Sequence, residues 1–218
     1  MATAYGARGR ETIHRSRWSS LVEIIEGTSV RRTILLFALF GLFACAMTSA
    51  QTRSSALLTV SQALDWWVIN TEKHLVPLAE AMPEEKYSFA PSAGEFKGVR
   101  TFAQQLKHLA ANNYAMAAFI RGEKPSPEMK NERGPDAVKS KAEIIEYLSG
   151  SFATLHEAVG TINDKNLTEP LNTGISQNTR PQLVIDAVAH SFNHYGQLVE
   201  YLRMNGIVPP DSRPQTAR

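Results

Sequence analysis

Cysteine is almost absent from this chain of 218 residues, and its single copy, Cys45, lies near the N-terminus. Residues 51–218 therefore cannot form an internal disulfide, bind a metal through thiolates or use a cysteine nucleophile. A metal site or a catalytic site in this part of the chain must be built from histidine, carboxylate or other polar side chains.

Residues 51–218 also lack an excess of basic charge. Six of the 23 Lys and Arg residues and three of the 21 Asp and Glu residues precede Gln51, which leaves 17 basic and 18 acidic residues after it. A nucleic-acid-binding surface requires a cluster of basic side chains. The composition therefore favours no nucleic-acid partner.

The first fifty residues have the pattern of a secretory signal peptide. Arg31 and Arg32 precede an apolar run over residues 34–43, and small residues follow as far as Ala50. This run is shorter than the roughly 20 apolar residues that a membrane span requires. We predict a leader over residues 1–50, cleavage after Ala50 and export of residues 51–218 to the periplasm or the extracellular space.

Other interpretations of the leader stay open. Translation from Val30 would leave residues 1–29 untranslated, since that segment is long for the start of a signal peptide. The N-terminal segment could instead anchor the protein in a membrane. The sequence Leu42-Phe-Ala-Cys45 resembles a lipoprotein cleavage site, which would attach a lipid at Cys45.

Helical patterns dominate residues 51–218, which are enough for one domain with a substantial core. Apolar residues recur at helical spacing over about 54–82, 101–121, 140–162 and 179–205. The last three segments begin with Ser/Thr-x-x-Glu/Gln, the capping box that satisfies backbone donors at a helix start. No strand pattern is evident. The sequence predicts an all-α four-helix bundle, with connections long enough to cross it.

The first helical segment contains a proline and two adjacent tryptophans, and each feature predicts a property of the helix. Pro77 lies inside the segment and should kink the helix or end it early, because proline lacks an amide hydrogen. The adjacent Trp66 and Trp67 are expected to be one buried and one partly exposed side chain.

Two histidines, His190 and His194, lie one helical turn apart in the fourth segment. Side chains at i and i+4 point the same way, with Cβ atoms roughly 5–6 Å apart, so both imidazoles can reach one transition-metal ion. The alternative is a pair of core histidines that are hydrogen-bonded to nearby polar groups. Their face of the helix is otherwise apolar and carries Leu183, Ala187, Leu198 and Tyr201.

A site with two histidines needs a third ligand from elsewhere, and His108 is the leading candidate. It lies in the second helical segment, where Ala111 and Ala115 would allow close approach of another helix. His74 is the rival, although a solvated helix end is the expected setting for it. His156 is expected at the boundary of the core.

The sequence resembles the DinB-like (damage-inducible) superfamily in three motifs: Thr101-Phe-Ala-Gln-Gln-Leu-Lys-His108-Leu-Ala, His190-x-x-x-His194-Tyr-Gly-Gln197 and Arg203-x-x-Gly206-x-x-Pro209. The resemblance covers about residues 55–210. It implies a four-helix bundle that holds a divalent metal, zinc or nickel, through His108, His190 and His194.

The resemblance also implies a chemical class. Related bundles are S-transferases or hydrolases that use low-molecular-weight thiols, so the expected partners are a small-molecule substrate and such a thiol. Three histidines leave a tetrahedral ion one open position, as in catalytic sites. Asn112 and Gln197 are candidates for orienting a ligand or a water molecule.

The alternative function is a non-enzymatic metal-binding or stress-associated bundle, which could form a homodimer. The two functions differ in what covers the metal's open position. An enzyme should have a pocket there, and we expect polar groups from the first and third helices to line it. A binding module should have that position closed or lack the pocket.

Overall fold

The structure, a computed structural model, describes residues 57–95, 97–131, 133–174 and 177–214. These residues form four long helices, α1 (Val60–Ala81), α2 (Phe102–Arg121), α3 (Lys141–Gly160) and α4 (Arg180–Met204). Single 3₁₀ turns lie at Glu84–Lys86, Glu128–Lys130 and Pro210–Ser212. The predicted signal peptide lies outside the described residues.

A short hairpin, which the sequence pattern did not reveal, interrupts the connection between α3 and α4. Strands β1 (Leu171–Asn172) and β2 (Gln177–Asn178) pair in antiparallel register, with Leu171 opposite Asn178. Two residues a strand are too few for an alternating apolar pattern to be recognised.

Capping boxes fix where the helices begin. Thr101 and Ser140 each accept a hydrogen bond from the backbone N–H three residues on, and the Gln104 or Glu143 side chain accepts one in return. At α4, Gln182 Oε1 accepts from the Thr179 backbone N–H at 2.8 Å. The predicted starts of α2, α3 and α4 are thus confirmed. Helix α1 begins at Val60, after a further capping box at Thr59, rather than near residue 54.

Helix α1 continues through Pro77, so the expected early end is wrong. Leu75, Leu78 and Ala79 are fully buried around the proline, and burial of this last turn offsets the backbone hydrogen bond that Pro77 cannot donate. Lys141 Nζ also donates to the carbonyl oxygens of Glu80 and Met82, both at 2.8 Å. These bonds satisfy acceptors that the end of a helix leaves unpaired.

The four helices form a ring in which helices that follow one another in the chain are not always neighbours in space. Helix α1 packs against α3 and α4, and α2 packs against the same two helices. Helices α1 and α2 therefore lie across one diagonal of the bundle, and α3 and α4 lie across the other. The connections over 82–101 and 161–179 cross the bundle, as their lengths allowed.

The core fills the centre of this ring. Phe152 and Leu148 of α3, Leu75 of α1 and Leu106 of α2 are almost completely buried. On α4, Leu198 is fully buried one helical turn after His194.

The tryptophans depart from the sequence expectation, because Trp66 and Trp67 are 55 % and 50 % exposed and contact each other edge to face. The buried stripe of α1 passes instead through Val68, Thr71 and Leu75. None of the helices in the described part of the chain is long and apolar enough to cross a membrane.

Candidate metal site

Three histidines converge where α2 packs against α4. His108 Nε2 lies 3.1 Å from His190 Nε2, and His190 Nε2 lies 3.1 Å from His194 Nε2. Ligand nitrogens of all three residues lie within 4.8 Å of one another. We call His108, His190 and His194 the histidine triad.

The local sequence explains why the triad assembles. The i, i+4 spacing places His190 and His194 on one side of α4. On α2, the buried residues Ala111 and Ala115 lie one and two helical turns after His108, and their small side chains leave space beside it. The sequence could therefore identify all three residues, although their convergence depends on the packing of α2 against α4.

The triad fits a divalent transition metal. Nitrogen ligands at about 2.0–2.1 Å from a tetrahedral ion lie about 3.3–3.4 Å apart, close to the 3.1 Å separations seen here. Imidazole nitrogen is a preferred donor for zinc, nickel, copper and iron. These three histidines could hold one metal ion, and no other group of His, Cys, Asp or Glu in the described residues offers three such donors together.

Burial keeps His194 neutral. Its side chain is 6 % exposed, and burial lowers its pKa from 6.5 to about 3, helped by the nearby positive charges that His190, His108 and Arg100 can carry. A neutral imidazole offers a nitrogen lone pair to a metal without first losing a proton. At neutral pH His194 is therefore ready to act as a ligand.

Asn112 and Gln197, the candidates for orienting a ligand, occupy different settings. Asn112 lies one helical turn after His108, and its buried Nδ2 has no hydrogen-bond partner among the described residues. Gln197 lies one turn after His194 on the helix and accepts from Gln105 Nε2 at 2.9 Å. Gln197 thus joins α4 to α2, the two helices that carry the triad.

A cavity of about 430 Å³ reaches the triad at His108. We call it the His108 cavity, and the side chains that matter here are His108, Asn112, Met116, Phe119, Met129 and Lys130. The expectation that polar groups of the first and third helices line the pocket is wrong. Its walls come from α2, from the connection after α2 and from the hairpin region. No sequence pattern indicates that the hairpin region approaches α2.

A second cavity of about 360 Å³ lies beside the same helices. Its lining includes Arg100, Arg133, Gln105 and Gln197. The two guanidinium groups and two amides make it polar, and it was not anticipated from the sequence.

The other two described histidines make separate contacts with carboxylates. His74 Nδ1 lies 2.6 Å from Asp211 Oδ2, and the same carboxylate accepts from the Tyr195 hydroxyl. His156 bridges α3 to α1, with Nδ1 at 2.5 Å from Asp65 and Nε2 at 3.2 Å from Glu72. Neither residue belongs to the triad.

The sequence profile of the DinB superfamily matches residues 56–198. The chain belongs to the DinB superfamily. No curated protein matches it.

Solved structures show the same fold as this DinB-superfamily chain. A DinB-like protein from Bacillus cereus is 18 % identical, with a TM-score of 0.54 over 70 % of this chain and 96 % of its own. A DinB-like protein from Bacillus subtilis is 16 % identical, with a TM-score of 0.53 over 66 % and 92 %. A conserved protein from Enterococcus faecalis is 14 % identical, with a TM-score of 0.54 over 68 % and 98 %. The predicted fold and superfamily are thus confirmed.

Proposed function

We propose that this DinB-superfamily protein binds one zinc or nickel ion through the histidine triad and is a thiol-dependent S-transferase or a hydrolase for a small molecule. The observation that carries the proposal is the combination of the triad with the His108 cavity, because a metal site next to a cavity can receive a substrate.

The donor set supports a catalytic rather than a structural ion. Structural zinc sites are usually closed by four protein ligands, whereas three ligands leave a position for water or substrate. An ion bound to neutral imidazoles keeps its full positive charge and would stabilise a nucleophilic thiolate or hydroxide.

The protein's own residues supply the rest of the site. The apolar side chains of Met116, Phe119 and Met129 line the cavity beside His108. The buried amide of Asn112 offers a hydrogen-bond donor one turn from His108. These residues would bind and orient a substrate next to the triad.

In the proposed reaction the thiol comes from solution. Residues 51–218 contain no cysteine, so this part of the chain supplies no thiol of its own. In an S-transfer, the sulfur of the small thiol forms a bond to the electrophilic carbon, the leaving group departs with the bonding electrons, and the thiol proton passes to solvent. In the hydrolase variant, water takes the place of the thiol.

A non-enzymatic metal-binding bundle is less well supported. Such a module should close the region around the triad, whereas the His108 cavity extends from one of the three histidines. The cavity volume lies within the range of about 300–1,000 Å³ that is typical of small-molecule sites.

Cobalt substitution tests the proposed chemistry. Binding of a small thiol, such as cysteine, to the cobalt-loaded protein should produce a thiolate-to-metal absorption band and release a proton near neutral pH. If no common thiol produces the band and no metal-dependent hydrolysis occurs, the protein is a metal-binding bundle without this activity.

We also propose that the protein acts outside the cytosol. The short apolar run over 34–43 and the small residues up to Ala50 support cleavage of the leader. The intact mass of the protein purified from its native host should correspond to a chain that begins at Gln51. A mass that includes residues 31–50 would indicate a membrane anchor, and a lipid on Cys45 would indicate a lipoprotein.

A further inference from the structure

Asn112, which lines the His108 cavity, carries a buried hydrogen-bond donor that has no partner in the described part of the protein. Asn112 Nδ2 is shielded from solvent and has no acceptor among the described residues. Buried polar groups in folded proteins almost always have a partner, because an unpaired donor loses its hydrogen bonds to water without compensation. An exception at the wall of a cavity points to an acceptor that arrives with a ligand.

Asn112 is placed to hold that ligand beside the triad. It follows His108 by four residues on α2, so the two side chains lie on the same face of the helix. An oxygen atom bound to Asn112 would thus bring the rest of the ligand next to His108.

The remaining walls define the body of the ligand. Met116 and Phe119 continue the same side of α2, and Met129 from the 3₁₀ turn Glu128–Lys130 lines the same cavity. Flexible methionine side chains adapt to apolar groups of different shape. This part of the cavity suits an alkyl chain or an aromatic ring.

The charge at the cavity favours an anion. Lys130 lines the cavity, is exposed and makes no ion pair with another described residue. An ammonium group and an amide N–H donor together complement a carboxylate, which only accepts hydrogen bonds.

We propose that the His108 cavity binds a small carboxylate with an apolar body, whose oxygens accept from Asn112 and pair with Lys130 while the body packs against Met116, Phe119 and Met129. The inference rests on the proposed function for the role of this ligand as substrate. The binding step itself depends only on the cavity.

Calorimetry with three probes of equal chain length tests the proposal. The metal-free protein is used, because a carboxylate could otherwise bind the metal ion rather than Asn112 and Lys130. Hexanoate should bind at least ten-fold more tightly than hexan-1-ol, and hexylamine should not bind. Asn112→Leu should weaken hexanoate binding at least ten-fold. Lys130→Gln should weaken it less and reduce its dependence on salt.

Thermal unfolding separates a binding role of Asn112 from a structural role. Asn112→Leu removes an unpaired buried donor, so without ligand it should raise Tm, by roughly 2–4 °C. The matched control is Asn113→Ala, because Asn113 is buried next in the chain and donates to Ser151 Oγ at 3.2 Å. The control should lower Tm and leave hexanoate affinity unchanged.

Two results would overturn the inference: full hexanoate affinity in Asn112→Leu, or tighter binding of hexylamine than of hexanoate. The outcome is independent of the metal proposal. Hexanoate binding by a protein that never takes up metal would refute the proposed function and support the cavity inference. If a thiol binds the metal-loaded protein but hexanoate does not bind the cavity, the proposed function is supported and the cavity inference is refuted.

Discussion

His194 combines deep burial with the proximity of two other imidazoles, and both properties oppose its protonation. Its pKa falls from 6.5 to about 3 on folding. Above pH 6.5 His194 is neutral in both the folded and the unfolded state, so in this range it adds no pH dependence to the free energy of unfolding. As pH falls below 6.5, the unfolded chain takes up a proton that the folded chain does not, and the folded state loses stability.

The metal-free protein should therefore lose up to about 1.4 kcal/mol of unfolding free energy per pH unit through His194 as pH falls from 6.5 towards 3. Urea unfolding of the metal-free protein and of its His194→Gln variant at several pH values measures this slope. The carboxylates contribute equally to both proteins, so the difference between the curves reports His194. Parallel curves between pH 6.5 and 4.5 would contradict the assignment.

At the residue scale, the sequence predicted the triad better than its surroundings. The i, i+4 spacing of His190 and His194 is a local property, and His108 was the leading third ligand from its apolar helical segment, a choice that the resemblance supported. The unpaired donor of Asn112 was not predictable, because whether an amide finds a partner depends on the walls of the His108 cavity. The exposure of both Trp66 and Trp67 likewise follows from the rotation of α1 in the bundle.

At the scale of elements, three helix starts were predictable, and the continuation of α1 through Pro77 was not. Thr101 and Ser140 begin helices through bonds to residues only three positions away, which the sequence displays directly. The end of α1 depends instead on Lys141, which is distant in sequence and donates to the carbonyl oxygens of Glu80 and Met82. Such contacts follow only from the packed structure.

The contribution of Lys141 to α1 can be measured. Lys141→Met should lower the unfolding free energy by about 1–2 kcal/mol, since it leaves two helix-end carbonyls without their charged donor. Chemical unfolding measures the change. Lys165→Met, at an exposed lysine, is the control and should stay within about 0.5 kcal/mol of the wild type. If the two substitutions lowered the unfolding free energy equally, Lys141 would not have the proposed role at the end of α1.

At the scale of the whole molecule, the triad connects two helices that are distant in sequence. His108 lies on α2 and the pair His190 and His194 on α4, so a bound metal would link the two elements across their interface. The sequence predicted four helices and long crossover connections. It did not predict which helices are diagonal, because apolar stripes specify buried faces but not neighbours.

A ligand that binds only the folded protein stabilises it by mass action. Zinc at 100 times its dissociation constant should therefore add about 2.7 kcal/mol of stability and raise Tm of the wild-type protein. The double variant His190→Ala/His194→Ala should melt at a temperature that zinc does not change. An equal rise in both proteins would show that zinc binds elsewhere.

Metal content of purified proteins tests the central claim most directly. Elemental analysis should find about one zinc or nickel ion per wild-type chain, and loss of most of it in His108→Ala, His190→Ala and His194→Ala, with helical content retained by circular dichroism. His74→Ala and His156→Ala should keep the full content, because these residues pair with carboxylates outside the triad. Stoichiometric metal in His190→Ala/His194→Ala, or its loss in His74→Ala, would contradict the account.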